Sequence, residues 1–205
     1  MKYSMMAKVL PLVLDKTVYG YLNSDGANIT KETKKEIKRE YKAMVLRTPG
    51  LDKGNSLEKN LYIGCYLLSF AKAAPQIVNE ERFSGIIKAM CDEMVRRSKE
   101  DDSMFSEKNI RKRQLAAEKS QSSDKEMDWI STFERKNEDH YEFTYSQCGL
   151  CELGRREGCF HLIKYLCLTD YISFDLGGAK LVREHTIANG DGYCDFQVYR
   201  KVKHK

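Results

Sequence analysis

The spacing of apolar residues changes once along this 205-residue chain, and that change limits the fold more than any other feature. In the first two thirds, apolar residues recur three and four apart. Ile37, Tyr41, Met44 and Val45 share one helix face, opposite Lys34, Lys35, Lys38 and Arg39. Leu57, Leu61, Cys65 and Leu68 repeat the pattern, widened by Tyr62 and Tyr66. Phe83, Ile86, Ile87, Met90, Met94 and Val95 carry it on to about Arg97. From Tyr141 the period becomes two. Tyr141, Phe143 and Tyr145 alternate with Glu142, Thr144 and Ser146, and Cys194, Phe196 and Val198 alternate with Asp195, Gln197 and Tyr199. Helical stripes followed by half-apolar strands predict the α+β class: a helical N-terminal region packed with a small antiparallel C-terminal sheet. The length suits a single domain over 1–205, with a helical region 1–135 and a sheet-containing region 136–205.

Local signals set the expected boundaries. Pro11 should break the first apolar helix, leaving Leu12, Val13 and Leu14 packed on the body. Asn23 to Gly26 reads as a turn, and Thr30 as a helix cap whose hydroxyl accepts an early amide hydrogen bond. Asn55, Ser56, Leu57 and Glu58 signal another helix start, and Pro75 suits the first turn of the next. Residues 96–126 are highly charged and predict helical pieces with a connector, Arg111, Lys112 and Arg113 being a solvated face. Met127, Trp129, Ile130 and Phe133 predict a short helix covering an edge or pocket. Residues 152–165 have helical character interrupted at Gly158. Lys180 to Ile187 reads as a strand that puts Leu181, Arg183 and His185 on one face.

The 35 basic residues are interleaved with 30 acidic ones, so the net charge of +5 gives no concentrated positive face, and nucleic-acid binding is not expected. No stretch approaches the roughly 20 apolar residues that span a bilayer, and no secretory leader is evident. A cytoplasmic chain whose seven cysteines are mostly thiols is expected. No nucleophile-elbow serine, phosphate loop or dinucleotide fingerprint occurs, so nucleotide chemistry is not suggested; no cofactor is expected, and with a single CxxC no metal either. The partner expected is a small-molecule substrate or ligand, without membrane or nucleic acid. A homodimer is compatible with the chain, but no repeat or interface pattern supports it.

Five of the seven cysteines fall between Cys148 and Cys194. Cys167 or Cys194 could serve as a nucleophile, or Asp170 could activate water; a local helix puts Asp170 on a face adjacent to Cys167. Asp195 follows Cys194 directly, so a strand points the two apart. Arg183 or His185 could supply the positive charge that a thiolate needs, and Arg183 could instead hold a carboxylate. Trp129 is either a ligand-stacking ring or a packing anchor. Cys148 and Cys151 have zinc-knuckle spacing without a second clean pair. Cys148 and Cys151 could form a disulfide, but a thioredoxin-like redox motif would need a strand leading into a helix within a βαβ unit, and that context is not apparent in the sequence. Binding of a small ligand without turnover is the alternative to catalysis.

The order of these fragments resembles the L-2-amino-thiazoline-4-carboxylic acid hydrolase family. The resemblance rests on the aromatic strand Tyr141–Tyr145 leading to Cys148, then on Cys167-Leu-Thr-Asp170 and Arg183-Glu-His-Thr186. It ends in Asn189-Gly-Asp-Gly-Tyr-Cys194-Asp195-Phe196. It implies hydrolytic opening of 2-amino-thiazoline-4-carboxylate, or a related cyclic compound, to an N-carbamoyl amino acid. With the residue readings, the expected catalytic set is Cys167, Asp170, Cys194 and His185, and the expected substrate-binding set is Arg183, Cys148, Asp195 and Trp129.

Overall fold

The computed structural model of the chain describes residues 1–52, 55 and 57–202. Helices α1 (Met5–Ser24), α2 (Lys31–Arg47), α3 (Glu58–Ala73), α4 (Glu80–Arg97) and α5 (Glu107–Ser120) come first. Strands β1 (Ile130–Arg135) and β2 (His140–Gln147) form a hairpin. Short helices α6 (Gly149–Arg156), α7 (Phe160–Leu166) and α8 (Leu168–Leu176) follow, and β3 (Ala179–Val182) and β4 (Cys194–Arg200) close the sheet. Its order is β1-β2-β4-β3, with every neighbouring pair antiparallel. The fold is α+β, with most helices N-terminal and the small sheet C-terminal, as the change of period requires.

Helix α3 is apolar on most of its circumference because it is surrounded. Leu61, Tyr62, Cys65, Tyr66, Leu68 and Phe70 are all buried. The α2 stripe of Ile37, Tyr41, Met44 and Val45 is buried, as its spacing predicts, and Tyr41 meets Tyr66 edge to face. Thr30 caps α2, accepting the Thr33 amide at 3.1 Å. The Asn55 side chain accepts the Leu57 amide at 2.9 Å just ahead of α3; Ser56 lies outside the described residues.

Several boundaries differ from expectation. Helix α1 runs through Pro11 rather than breaking there. Proline has no N–H for the Ala7 carbonyl four residues back, and the buried Tyr41 hydroxyl donates to that oxygen instead, at 2.9 Å. Leu12 and Val13 face solvent at 76% and 54% exposure, and Leu10 and Leu14 pack inward. Pro75, expected in the first turn of this helix, lies ahead of it, and Asn79 caps α4, accepting the Arg82 amide at 3.0 Å. The segment expected as a helix around Ile130 and Phe133 is β1. The three-residue spacing of Met127, Ile130 and Phe133 imitates a helix, but the backbone pairs with β2, which sets Phe133 opposite Phe143. Strand β3 stops at Val182 because the Asp195 carboxylate accepts the next free amides, of Glu184 at 3.1 Å and His185 at 2.6 Å.

Glu157, at the end of α6, ties the helical layer together. Its carboxylate is only 6% exposed, and Arg47 of α2 and Lys72 of α3 meet it at 2.5 and 2.7 Å. Burial pushes the carboxyl up, but the two cations overcome it and hold Glu157 below the ordinary carboxylate range. Its folded pKa is depressed, so its stabilisation is present above the unfolded value and fades as pH falls through the folded one. Glu157→Gln should lower stability by about 1–3 kcal/mol in urea unfolding at neutral pH. The difference from wild type should shrink under acid.

Candidate active site

Alternation along β2 turns Tyr141, Phe143 and Tyr145 to the helix-covered face. Register sets Val198, Phe196 and Cys194 of β4 opposite them in turn. Phe143 stacks on Phe196 with centroids 4.3 Å apart, and Phe174 of α8 lies 6.1 Å from Phe143. The result is an aromatic strip with polar groups at its margins.

Helix α5 supplies one of them. Arg113, expected in a solvated face, folds inward over the strip, its guanidinium 5.0 Å from the Phe174 ring centre, 5.3 Å from Phe143 and 5.8 Å from Tyr141. It donates to the Met104 sulfur at 3.2 Å. Among the described residues no carboxylate lies within ion-pair distance of it. Arg113, Lys112, Trp129, Phe133, Phe143 and Tyr145 help line a cavity of about 460 Å³, within the range of small-molecule sites. Sequence reasoning missed Arg113 because it ends the basic run Arg111-Lys112-Arg113 in a highly charged segment. Its one sequence signal is that it follows Ile110 by three residues and precedes Ala117 by four, and both of those are buried.

Tyr145 joins the cavity to a cluster of thiols. Cys148 leaves β2 and occupies the cap position of α6, with extended backbone angles (φ −131°, ψ 114°). Cys151 lies one turn further on and is buried, whereas Cys148 keeps accessible surface. The facing Cys151 thiol, and then the Cys151 and Leu150 amides at the helix start, hold Cys148 below the ordinary thiol range. Cys151 is driven the opposite way, well up, by the same pairing and by burial. Only one of the two gives up its proton readily, and it is Cys148.

Cys167, between α7 and α8, and Cys194, at the start of β4, stand nearby but are poorer thiolates. Burial pushes Cys167 well up, and the Asp170 charge adds to it. Burial pushes Cys194 up to about 11, although its sulfur accepts the Ile187 amide at 3.2 Å.

Asp170, in the first turn of α8, influences Tyr145, Cys148, Cys167 and Cys194 electrostatically, so all five groups share one neighbourhood. Its side chain is 39% exposed. Burial raises its pKa despite the opposing charge of Arg183. Arg183 is committed to this frame. It donates to Asp170 at 2.8 Å and to the Cys167 carbonyl at 3.0 Å, sandwiched between the Tyr171 and Phe196 rings and only 2% exposed. Expected as a carboxylate binder, it instead positions Asp170 and the start of α8.

The remaining expected residues are structural or peripheral in this arrangement. His185 lies on the loop after β3, its ring 5.0 Å from that of Tyr193 and its Nδ1 3.8 Å from Asp195. It no longer shares a strand face with Arg183, since β3 has ended. Asp195 anchors that loop through backbone amides. Trp129 is a buried cavity wall that packs against Gly149. Cys159 belongs elsewhere, its thiol donating to the Glu157 carbonyl at 3.5 Å. Among the described residues no three His, Cys, Asp or Glu side chains are grouped to hold a metal ion. No described helix is long and apolar enough to cross a membrane.

No curated protein and no solved structure matches the chain. The model of the L-2-amino-thiazoline-4-carboxylic acid hydrolase family matches residues 54–198, reaching from α3 through most of β4 and so well beyond the C-terminal third that carries the motifs. With Cys148, Cys167, Asp170, Arg183 and Cys194 all inside that span and gathered in one place, the chain belongs to the L-2-amino-thiazoline-4-carboxylic acid hydrolase family.

Proposed function

We propose that the protein hydrolyses L-2-amino-thiazoline-4-carboxylate, or a related small ring with carbon–nitrogen and carbon–sulfur bonds at one carbon, to an N-carbamoyl amino acid. The observation that carries this reading is the half-buried Cys148 at the start of α6, its thiol faced by that of Cys151. Cys148 holds its proton weakly and has the Asp170 carboxyl in its neighbourhood.

The substrate ring lies along the Phe143–Tyr145 strip and its carboxylate pairs with Arg113, whose guanidinium has no competing carboxylate. The Cys148 thiolate bonds to the amidinium carbon between the ring sulfur and the two nitrogens. The adduct collapses by breaking the ring carbon–sulfur bond, and the departing sulfur takes the Asp170 proton. An isothiouronium group remains on Cys148. Water then adds to the same carbon, giving a proton to the Asp170 carboxylate. The second adduct expels the Cys148 thiolate and releases a proton to solvent as the new oxygen becomes the carbonyl of the carbamoyl group. One water is consumed, one carbon–sulfur bond breaks and one carbon–oxygen bond forms. The raised pKa of Asp170 suits it both to give and to take the proton.

The test is incubation of the purified protein with L-2-amino-thiazoline-4-carboxylate and chromatographic detection of N-carbamoyl-cysteine. Product formation supports the reading. Saturable binding without product points to the alternative, a ligand-binding protein with the same fold. Arg113→Met should raise KM about 30- to 100-fold, corresponding to roughly 2–3 kcal/mol for a charge-assisted pair, with a smaller change in kcat.

A further inference from the structure

Cys148 and Cys151 have a second chemistry that hydrolysis does not use. The two cysteines sit where a strand runs into a helix, β2 ending at Gln147 immediately before α6, although β4 lies between β2 and the next strand of the chain, β3, so the unit is not a simple βαβ. The Glu152 amide donates to the Cys148 carbonyl at 3.0 Å, so the turn containing both cysteines is already helical. Side chains three apart in such a turn have β-carbons about 5–6 Å apart, near disulfide reach after a small adjustment. Cys148 is half-buried, Cys151 is buried and the two thiols face each other, an order of exposure that suits an attacking and a resolving cysteine.

We infer that Cys148 and Cys151 form a reversible intramolecular disulfide by exchange with a low-molecular-weight disulfide. The Cys148 thiolate attacks one sulfur of the small disulfide, forming a mixed disulfide and expelling one small thiolate. Cys151 gives up its proton and attacks the Cys148 sulfur, expelling the second small thiol. The two protein thiols are oxidised by two electrons and the small disulfide is reduced to two thiols. Cys167 and Cys194 compete poorly because burial keeps both protonated. Oxidation would also remove the nucleophile of the proposed hydrolysis, although the exchange does not depend on that reading.

The full-length protein is incubated with oxidised glutathione, without substrate. Remaining thiols are alkylated, and tryptic peptides are read by mass spectrometry. The peptide spanning both cysteines should be unalkylated and lighter by two hydrogens, and dithiothreitol should reverse the change. Cys151→Ser should stop at one glutathione on Cys148, and Cys148→Ser should leave Cys151 reduced. A disulfide joining Cys148 to Cys167 or Cys194 would overturn the inference, as would a fully alkylated wild-type peptide at oxidant levels that oxidise a free dithiol. Turnover is not read, so loss of the hydrolase reading leaves this result intact.

Discussion

Cys148→Ser should lower kcat/KM for ring opening by about 10³-fold or more, with little change in stability. A serine hydroxyl at the same place remains protonated at neutral pH and lacks the nucleophilicity of sulfur. Cys167→Ser and Cys194→Ser should each retain far more activity, because burial holds both thiols protonated. The pH profile gives the same claim a sign. The Cys148 pKa is depressed, so the reactive thiolate is present above that value and activity falls as pH drops through it. The Cys151 thiol is the largest cause of the depression, so Cys151→Ala should move the acid limb to higher pH. A merely structural Cys151 would change kcat/KM without moving the limb.

Gly149→Ala should be the most damaging single methyl addition near the site. A β-carbon there would stand 2.1 Å from the Met127 carbonyl oxygen and 2.8 Å from the Trp129 ring. The oxygen is backbone and the ring is buried, so neither yields cheaply. A loss of about 3 kcal/mol or more is expected, or roughly 6–12 °C in thermal unfolding for a chain of this size. The start of α6 must also shift, carrying Cys148 with it. Activity should therefore fall even below the unfolding temperature, and circular dichroism melts beside rate measurements would separate the two effects.

The sequence makes the helix stripes and both alternating strands legible because each is a local repeat with one buried face. The α2 stripe and the Tyr141–Tyr145 alternation needed no tertiary information. The identity of β1 did: its apolar residues fall three apart, and only the ladder to β2 makes it a strand. Cys148, Cys167, Asp170, Arg183 and Cys194, all candidates in the sequence, come together in the fold, but their roles were illegible and Arg113 was missed. Arg183 looks like a free cation until Asp170 and the Cys167 carbonyl are seen to occupy it. Arg113 looks solvated until its helix is laid across the aromatic strip. Cys148 and Cys167 both stand at helix starts, and Cys148 differs from Cys167 and Cys194 through the Cys151 thiol that faces it, which no count of cysteines reveals.

The most direct test is to trap the covalent intermediate. The protein is mixed with L-2-amino-thiazoline-4-carboxylate, quenched in acid within one turnover, digested and mapped by mass spectrometry. An isothiouronium adduct on Cys148, absent from Cys148→Ser, is the predicted result. An adduct on Cys167 or Cys194, or undiminished turnover by Cys148→Ser, would contradict the assignment of the nucleophile.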